Sequence, residues 1–221
     1  EEMGFVLHVL RANDLFVDVG ANAGTYTILA SGVCGAQSIG FEPLPEAFSR
    51  YENNVQINNL KNLVTLHNQG VADREGELRF SKDLDTENRV VLEENAQLNT
   101  EIVSVVSLDK VLDGTNPTVI KIDVEGYEKP VLLGALQCLK NVSLLGVIME
   151  TNSAGSEFGY TKEELHSIMN SYGFSPFFYH PFKRSFTAIS SENESNLNCI
   201  FIRNMEEVKS GIASARRREV N

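Results

Sequence analysis

The sequence predicts a doubly wound α/β domain, in which helices cover both faces of a mostly parallel β-sheet. Short apolar runs alternate with segments of helical periodicity through the 221 residues, a pattern typical of parallel strands joined by crossover helices. A turn with two glycines follows the first apolar run, and acidic residues end the second and fourth core runs. Neither an internal repeat nor a linker divides the sequence, so we expect one domain over residues 1–221.

The core strands are predicted from short, nearly continuous apolar runs, which indicate strands buried on both faces of a sheet. These runs are Leu15–Val19, Ser38–Phe41, Leu63–His67, Thr118–Val124 and Ser143–Met149. Additional strands are expected at Glu77–Phe80 and Ile102–Val106, and a closing antiparallel pair at Phe174–Tyr179 and Asn198–Arg203.

Helices are predicted between these strands, at Thr25–Val33, Pro45–Asn58, Tyr127–Leu139 and Thr161–Tyr172, with a short helix from Ser107 through Leu112. Pro45 suits a first helical turn, and Thr161 stands at capping-box spacing from Glu164. In the helix that begins at Pro45, helical spacing places four side chains inward: Phe48, Tyr51, Val55 and Ile57.

Two long polar segments, 81–101 and 180–197, are predicted as loops. Loops longer than about 12–15 residues are usually functional or disordered. We therefore expect these segments to act as a lid or as acceptor-binding elements. His180, Lys183 and Arg184 lie in the second loop and are candidates to contact an acceptor, although a simply solvated loop is the preferred interpretation.

Composition excludes several partners. The formal charge of −11 argues against nucleic acid, because phosphate binding requires clustered Lys and Arg. The one basic run, Arg216–Arg218, is interpreted as a solvated helix end. No stretch approaches the roughly 18 apolar residues that span a bilayer, so no membrane partner is expected. The oligomeric state is not predicted.

The three cysteines, Cys34, Cys138 and Cys199, lie in or beside apolar segments. Their odd number favours buried thiols in a reducing compartment over a disulfide framework, and hence a cytoplasmic location. None lies in a Cys-x-x-Cys or Cys/His cluster, so no zinc site is predicted.

The segment Asp18–Gly24 lies where the first strand ends and a helix begins, a position at which doubly wound sheets bind ligands. Gly20 and Gly24 permit positive φ and a close ligand. A dinucleotide fingerprint would require glycines where Asn22 and Thr25 stand. An acid at position 18 would repel phosphates and attract an ammonium group, so the turn favours a small-nucleoside pocket.

Glu42 ends the second strand, 22 residues after Gly20. A carboxylate in this position can accept both hydroxyl protons of a ribose. At the end of the fourth core strand, alternation places Lys121, Asp123 and Glu125 on one side. Ionisable groups in a core strand are costly unless they are paired. We therefore expect Lys121 to neutralise Asp123, with both carboxylates facing the cleft.

Together, Asp18–Gly24 with Thr25–Thr27, Phe41–Pro43, Ser107–Asp109 and Lys121–Gly126 with Glu128 resemble the FkbM-type family of methyltransferases. The resemblance runs from about Leu15 to Glu150. It implies the Rossmann-like class I methyltransferase fold, with a seven-stranded, mostly parallel sheet and an antiparallel last strand. It also implies S-adenosylmethionine as the methyl donor, S-adenosylhomocysteine as product, and usually a hydroxyl on a small molecule or sugar as acceptor.

Carried over by position, the resemblance assigns donor-binding roles along the chain. Asp18, Gly20, Asn22 and Gly24 would surround the methionine part, with Thr25 and Tyr26 completing that loop. Glu42 would hold the ribose, Asn68 and Gly70 would lie against adenine, and Asp123 would lie near the methionine end or the acceptor.

The reaction chemistry adds candidate catalytic residues. An alcohol acceptor must lose a proton, and Asp123 or Glu125 is the candidate base, with His180 third. A divalent metal held by Asp123, Glu125 and Glu150 is an alternative, although no metal is the preferred interpretation. Two rival functions remain: a non-catalytic nucleoside-binding module, and a nicotinamide-dependent oxidoreductase.

Overall fold

The computed structural model of the chain describes residues 1–82, 88–92, 99–151, 153–189 and 198–215. Its strands are β1 (Leu15–Val19), β2 (Gln37–Phe41), β3 (Val64–His67), β4 (Gly70–Val71), β5 (Gly76–Ser81), β6 (Thr100–Val106), β7 (Val119–Ile122), β8 (Gly146–Glu150), β9 (Ser175–His180), β10 (Ser185–Ala188) and β11 (Asn198–Ile202). All predicted strands are present, with ends that differ by a few residues.

The helices are α1 (Glu2–Val9), α2 (Thr25–Thr27), α3 (Pro45–Ile57), α4 (Leu108–Val111), α5 (Glu128–Leu133), α6 (Leu136–Lys140), α7 (Lys162–Ser171) and α8 (Met205–Ser214). A π-helix, Ile28–Val33, continues α2, and a 3₁₀-helix spans Ser153–Phe158. The Thr161 side chain accepts a hydrogen bond from the Glu164 backbone, which confirms the predicted cap of α7. Within the described residues, no helix is long and apolar enough to cross a membrane.

Eight strands form the main sheet, in the order β10-β9-β11-β8-β7-β1-β2-β3. The five strands from β8 to β3 are parallel, and β11 inserts antiparallel between β8 and β9. The predicted mostly parallel sheet with an antiparallel closing strand is thus confirmed. The chain leaves β1 toward β2 and later returns to β7 on its other side, and this reversal creates the crevice in which such sheets bind ligands.

The predicted loop 180–197 is wrong in its first half, because β10 pairs with β9 as an eighth strand. Phe186 of β10 packs against Tyr179 and Phe177. Arg184, in the turn before β10, donates hydrogen bonds to the carbonyls of Ile212 and Ala215 at the end of α8. Residues 190–197 lie outside the described residues, as does the basic run 216–218.

The predicted loop 81–101 also contains strand residues. Ser81 ends β5, and Thr100 begins β6, which together with β4 form a second, three-stranded sheet. Val90 bridges to Phe80 of β5. An apolar cluster joins these two residues and Val103 to Leu44 and Ala47, at the start of α3. This sheet therefore packs beside the carboxyl end of β2; residues 83–87 and 93–98 lie outside the described residues.

Both faces of the main sheet are covered, as the doubly wound prediction requires. One apolar cluster joins Val17 and Val19 to α4, α5, α6 and α7. A second cluster, on the opposite face, joins Phe16 to α1, α8 and the π-helix. Neither α1 nor α8 is predicted from the sequence.

Helix α3 confirms the predicted helix and corrects one of its inward residues. Val55 is 2% exposed, whereas Ile57 is 75% exposed in the last turn. Val55→Ala should lower the free energy of unfolding by about 2 kcal/mol, because two buried methyl groups are lost. The matched control Ile57→Ala should stay within about 0.5 kcal/mol of the unsubstituted protein. Urea denaturation measures both, and equal losses would contradict the assigned faces of α3.

Candidate active site

A cavity of about 330 Å³ opens at the carboxyl ends of β1, β2 and β7. Its volume lies within the range of small-molecule sites, about 300–1,000 Å³. The ends of β1, β2 and β7, the turns that follow them and the start of α3 contribute Val19, Gly20, Asn22, Phe41, Glu42, Pro43, Leu44, Ala47, Asp123, Val124, Glu125 and Tyr127. The second sheet and its approaches contribute Gln69, Gly70, Val71, Phe80, Asn88 and Val90. The cavity therefore lies where the sequence predicts the ligand crevice.

The charge of this cavity is one-sided. Glu42, Asp123 and Glu125 line it, and no Lys, Arg or His is among its lining residues in the described part of the chain. A wall of carboxylates attracts a positively charged ligand and repels a pyrophosphate. The lining therefore suits a cationic nucleoside better than a dinucleotide.

The two glycines of the first turn are required by protein packing. Gly20 has φ of +75°, and a Cβ there would lie 1.9 Å from the carbonyl oxygen of Asp123. Gly24 has φ of +81°, and a Cβ there would lie 2.1 Å from the ring of Tyr51. Gly20 lines the cavity but Gly24 does not. The space beside Gly24 is taken by the ring of Tyr51 of α3, and the predicted place of Gly24 beside the donor stays a prediction.

Glu42 is buried at the cavity wall, and each of its carboxylate oxygens accepts one backbone hydrogen bond. The amide of Asn22 donates to Oε2 at 2.9 Å, and that of Leu44 donates to Oε1 at 3.0 Å. Burial raises the pKa of Glu42, and these two amides oppose the rise. Each oxygen retains acceptor capacity for a ligand hydroxyl.

Asn68 is not among the residues that line the cavity, but it contacts the turn beside it. Its side-chain amide donates to the carbonyls of Glu42 and Pro43, and so fixes the turn after β2. The next residues, Gln69 and Gly70, line the cavity instead. Gln69 is missed by the sequence argument, although its position beside the predicted Asn68 and Gly70 is a usable signal.

Asp18 does not reach the cavity, because its side chain is directed into the layer below. It is 1% exposed, and its Oδ2 accepts hydrogen bonds from the backbone and the hydroxyl of Thr27 at 3.1 and 2.8 Å. Burial raises the pKa of Asp18, and the nearby ammonium of Lys121 opposes this rise. Asp18 therefore supports the turn through Thr27, and its predicted attraction for a ligand ammonium stays a prediction.

Lys121 links this buried layer to the cavity. Its ammonium lies 2.9 Å from Oδ2 of Asp123 and 4.0 Å from Oδ1 of Asp18. The ring of Tyr26 lies 4.9 Å from the same ammonium. Tyr26 and the exposed Thr25 are not among the residues that line the cavity, and their predicted contact with the donor stays a prediction. The predicted pairing of Lys121 with Asp123 is observed.

Glu125 reaches the cavity from a left-handed backbone conformation, with φ of +51°. Carboxylate oxygens of Asp123, Glu125 and Glu150 lie within 4.8 Å of one another. Acidic oxygen ligands of this kind are compatible with Mg²⁺, but such clusters also occur without metal. By contrast, none of His180, Lys183 and Arg184 lines the cavity.

Three further residues that line the cavity are not predicted from the sequence. Phe80, Asn88 and Val90 come from the second sheet and its approaches, and no motif marks them. Tyr127, which directly follows the predicted acidic motif, is a lining residue that the spacing could have indicated. Its ring packs edge-on against Phe158 at 5.2 Å, next to the second sheet.

The sheet order, the antiparallel closing strand and the acidic cavity at the switch point define a class I methyltransferase fold. The chain belongs to the methyltransferase FkbM domain family, whose family model matches residues 18–176. This match extends past Glu150, where the recognisable motifs end.

Comparisons with known proteins agree with this family. The chain is 26% identical over 163 residues to a hexuronic acid methyltransferase, AglP, of Haloferax volcanii, covering 71% of this chain and 64% of that protein. The chain therefore spans less than two thirds of this curated relative.

Two solved structures share the fold. Methyltransferase FkbM of Methylobacillus flagellatus KT aligns with a TM-score of 0.56 and 16% identity, over 87% of this chain and 44% of that one. A candidate rRNA methylase of Clostridium thermocellum aligns with a TM-score of 0.54 and 12% identity, over 90% of each chain.

The buried contacts of Lys121 generate a stability prediction. Lys121→Met should lower the free energy of unfolding by about 3–5 kcal/mol, because it leaves the buried Asp18 carboxylate without its cation. Adding Asp18→Asn should recover part of this loss. Lys110→Met, on the surface beside Glu75, is the matched control and should cost about 1 kcal/mol or less. Urea denaturation of these three variants and the unsubstituted protein measures the free energies of unfolding. If the double variant is no more stable than Lys121→Met, the pairing of Lys121 with Asp18 is contradicted.

Proposed function

We propose that the chain is an S-adenosylmethionine-dependent methyltransferase that methylates a hydroxyl group on a sugar or another small molecule. The observation that carries this proposal is the cavity lining, in which Glu42, Asp123 and Glu125 provide negative charge without a lining cation in the described residues. A sulfonium nucleoside carries the positive charge and the ribose hydroxyls that such a wall can bind. Nicotinamide dinucleotides carry a pyrophosphate, which this wall would repel.

The residues present fit this donor. Gly20 and Asn22 form the turn beside which the methionine part would lie, and Glu42 would accept hydrogen bonds from the ribose hydroxyls. Gln69 and Gly70 would lie against adenine, at the end of the turn that Asn68 fixes. Asp18, Gly24, Thr25 and Tyr26 would support this site from outside the cavity.

S-adenosylmethionine, when bound, supplies an electrophilic methyl group on a good leaving group. The chain must then hold the acceptor hydroxyl in line with that group and remove its proton. Asp123 or Glu125 would accept the proton on a carboxylate oxygen. Since Lys121 contacts Oδ2 of Asp123, it would keep this carboxylate in one orientation and leave Oδ1 for the cavity.

A sugar is the first acceptor class to test, because the curated relative is named for hexuronic acids.

The three cysteines, Cys34, Cys138 and Cys199, form no disulfide, which supports a cytoplasmic location because thiols persist in reducing compartments.

Donor binding provides the first test. Calorimetry should detect binding of S-adenosylhomocysteine and none of NAD. Glu42→Ala should weaken this binding by about tenfold or more, since ribose hydrogen bonds to a carboxylate contribute about 1.5–3 kcal/mol each. Glu46→Ala, on the exposed face of α3, is the control and should bind normally. Binding of NAD instead, or unchanged affinity in Glu42→Ala with the circular dichroism spectrum retained, would refute the assignment.

Turnover provides the second test, with hexuronic acids and neutral sugars as acceptors. Replacement of the general base, by Asp123→Asn or Glu125→Gln, should lower kcat by about 10²–10⁴-fold, whereas S-adenosylhomocysteine, which lacks the positive sulfonium, should still bind. Asp113→Asn, remote from the cavity on an exposed loop, is the control. If both variants keep full turnover, neither carboxylate is the base. Loss of activity with EDTA would instead favour the metal alternative at Asp123, Glu125 and Glu150.

A further inference from the structure

The turn that follows β7 contains two consecutive residues in left-handed backbone conformations. Glu125 has φ of +51° and Gly126 has φ of +97°. Glycine adopts this region freely, but a glutamate there is uncommon and must be held by its surroundings. Because Asp123 and Glu125 enter the cavity from this turn, its backbone decides where their carboxylates lie.

Two buried side chains take up both backbone polar groups of Gly126. Its N–H donates to Oε1 of Glu128 at 3.1 Å, and its carbonyl accepts from the hydroxyl of Tyr160 at 2.7 Å. The same hydroxyl lies 2.9 Å from Oε2 of Glu128. Because the hydroxyl has a single proton, it donates to the carbonyl of Gly126 or to Oε2 of Glu128, unless Oε2 itself carries a proton and donates to the hydroxyl. We name these three contacts the Gly126 clamp.

The clamp connects the turn to the segment after β8. Tyr160 follows the 3₁₀-helix Ser153–Phe158, and a Cβ at Gly126 would lie only 3.0 Å from Ala154 of that helix. The backbone amide of Lys129 also donates to the Tyr160 hydroxyl, at 3.4 Å. The turn is thus held from two directions, by α5 and by the 3₁₀ segment.

Burial of the Glu128 carboxylate costs folding free energy, because the residue is only 3% exposed. Burial raises its pKa, and the nearby Glu150 raises it further. Well-packed apolar residues often stabilise a fold at least as much as buried charged groups do. A simple helix cap could also use an exposed carboxylate, so the burial of Glu128 against Tyr160 indicates a role beyond packing or capping.

We propose that Glu128 and Tyr160 are positioning residues, which fix the Gly126 turn so that Asp123 and Glu125 face the acceptor. Neither residue lines the cavity, so each would act through the turn. This inference rests on the proposed methyl transfer, because it concerns the alignment of the carboxylates that serve it. A displacement of about 1 Å in such groups can lower turnover by about 10²-fold.

Three variants of the full chain test the clamp. Glu128→Ala and Tyr160→Phe should each lower kcat by about 10- to 100-fold, with donor affinity within about threefold of the unsubstituted protein. Glu128→Gln should retain most of kcat, because its amide oxygen can accept from Gly126 and its amide N–H can donate to Tyr160. Glu164→Ala, which removes an exposed carboxylate beside Lys129, is the control and should behave normally.

Hydrogen exchange of the Gly126 amide, followed by NMR, reads the clamp without any methyl transfer. Exchange should be faster in Glu128→Ala and Tyr160→Phe and close to normal in Glu128→Gln. Normal kcat or normal Gly126 exchange in Glu128→Ala and Tyr160→Phe would overturn the proposal, as would equal loss of kcat in Glu128→Gln. If Glu128→Ala does not fold, Tyr160→Phe and Glu128→Gln decide the question. An unsubstituted protein without donor binding would refute the proposed function instead, a result distinct from altered exchange.

Discussion

The geometry of the site depends on the position of one buried cation. In the register of β1 and β7, Asp18 lies opposite Lys121, and the ammonium of Lys121 contacts Asp123 at 2.9 Å. Asp18 is 1% exposed, and a buried carboxylate is costly without a partner; Asp123, at the cavity, adds repulsion that raises the pKa of Asp18 further. Lys121 offsets both effects and joins the two central strands at the end where the cavity opens.

This arrangement explains how an acidic cavity can be supported although no cation is among its lining residues in the described ranges of the chain. An ammonium exposed among the lining residues would weaken the attraction for a positively charged ligand. Lys121 lies one layer below, where Asp18, Asp123 and the ring of Tyr26 surround it. The protein therefore stabilises Asp123 from beneath while the opposite side of that carboxylate remains available to the cavity.

The parts of this arrangement that follow from local periodicity are predictable from the sequence. Apolar runs locate β1, β2 and β7, and the spacing of Gly20, Glu42 and Asp123 places them at one sheet edge. The parts that depend on distant packing are not predictable. The ring of Tyr51, on α3, rather than a ligand, fills the space at Gly24, and nothing near Val90 in the sequence shows that it bridges to Phe80. The direction of the Asp18 side chain, by contrast, is predictable, because strand alternation places it on the face opposite to Val17 and Val19.

Two kinds of carboxylate lie at the end of β7. Asp123 and Glu125 line the cavity, whereas Glu128 is buried behind them and bonded to the backbone of Gly126. The left-handed turn can place Glu125 in the cavity only if the backbone N–H and carbonyl of Gly126 are hydrogen-bonded, because burying an unpaired amide or carbonyl costs free energy. Glu128 and Tyr160 provide these partners from positions 2 and 34 residues after Gly126. The turn is therefore defined partly by the chain beyond β8, so a change in that later segment can alter the acidic site without touching any residue that lines it.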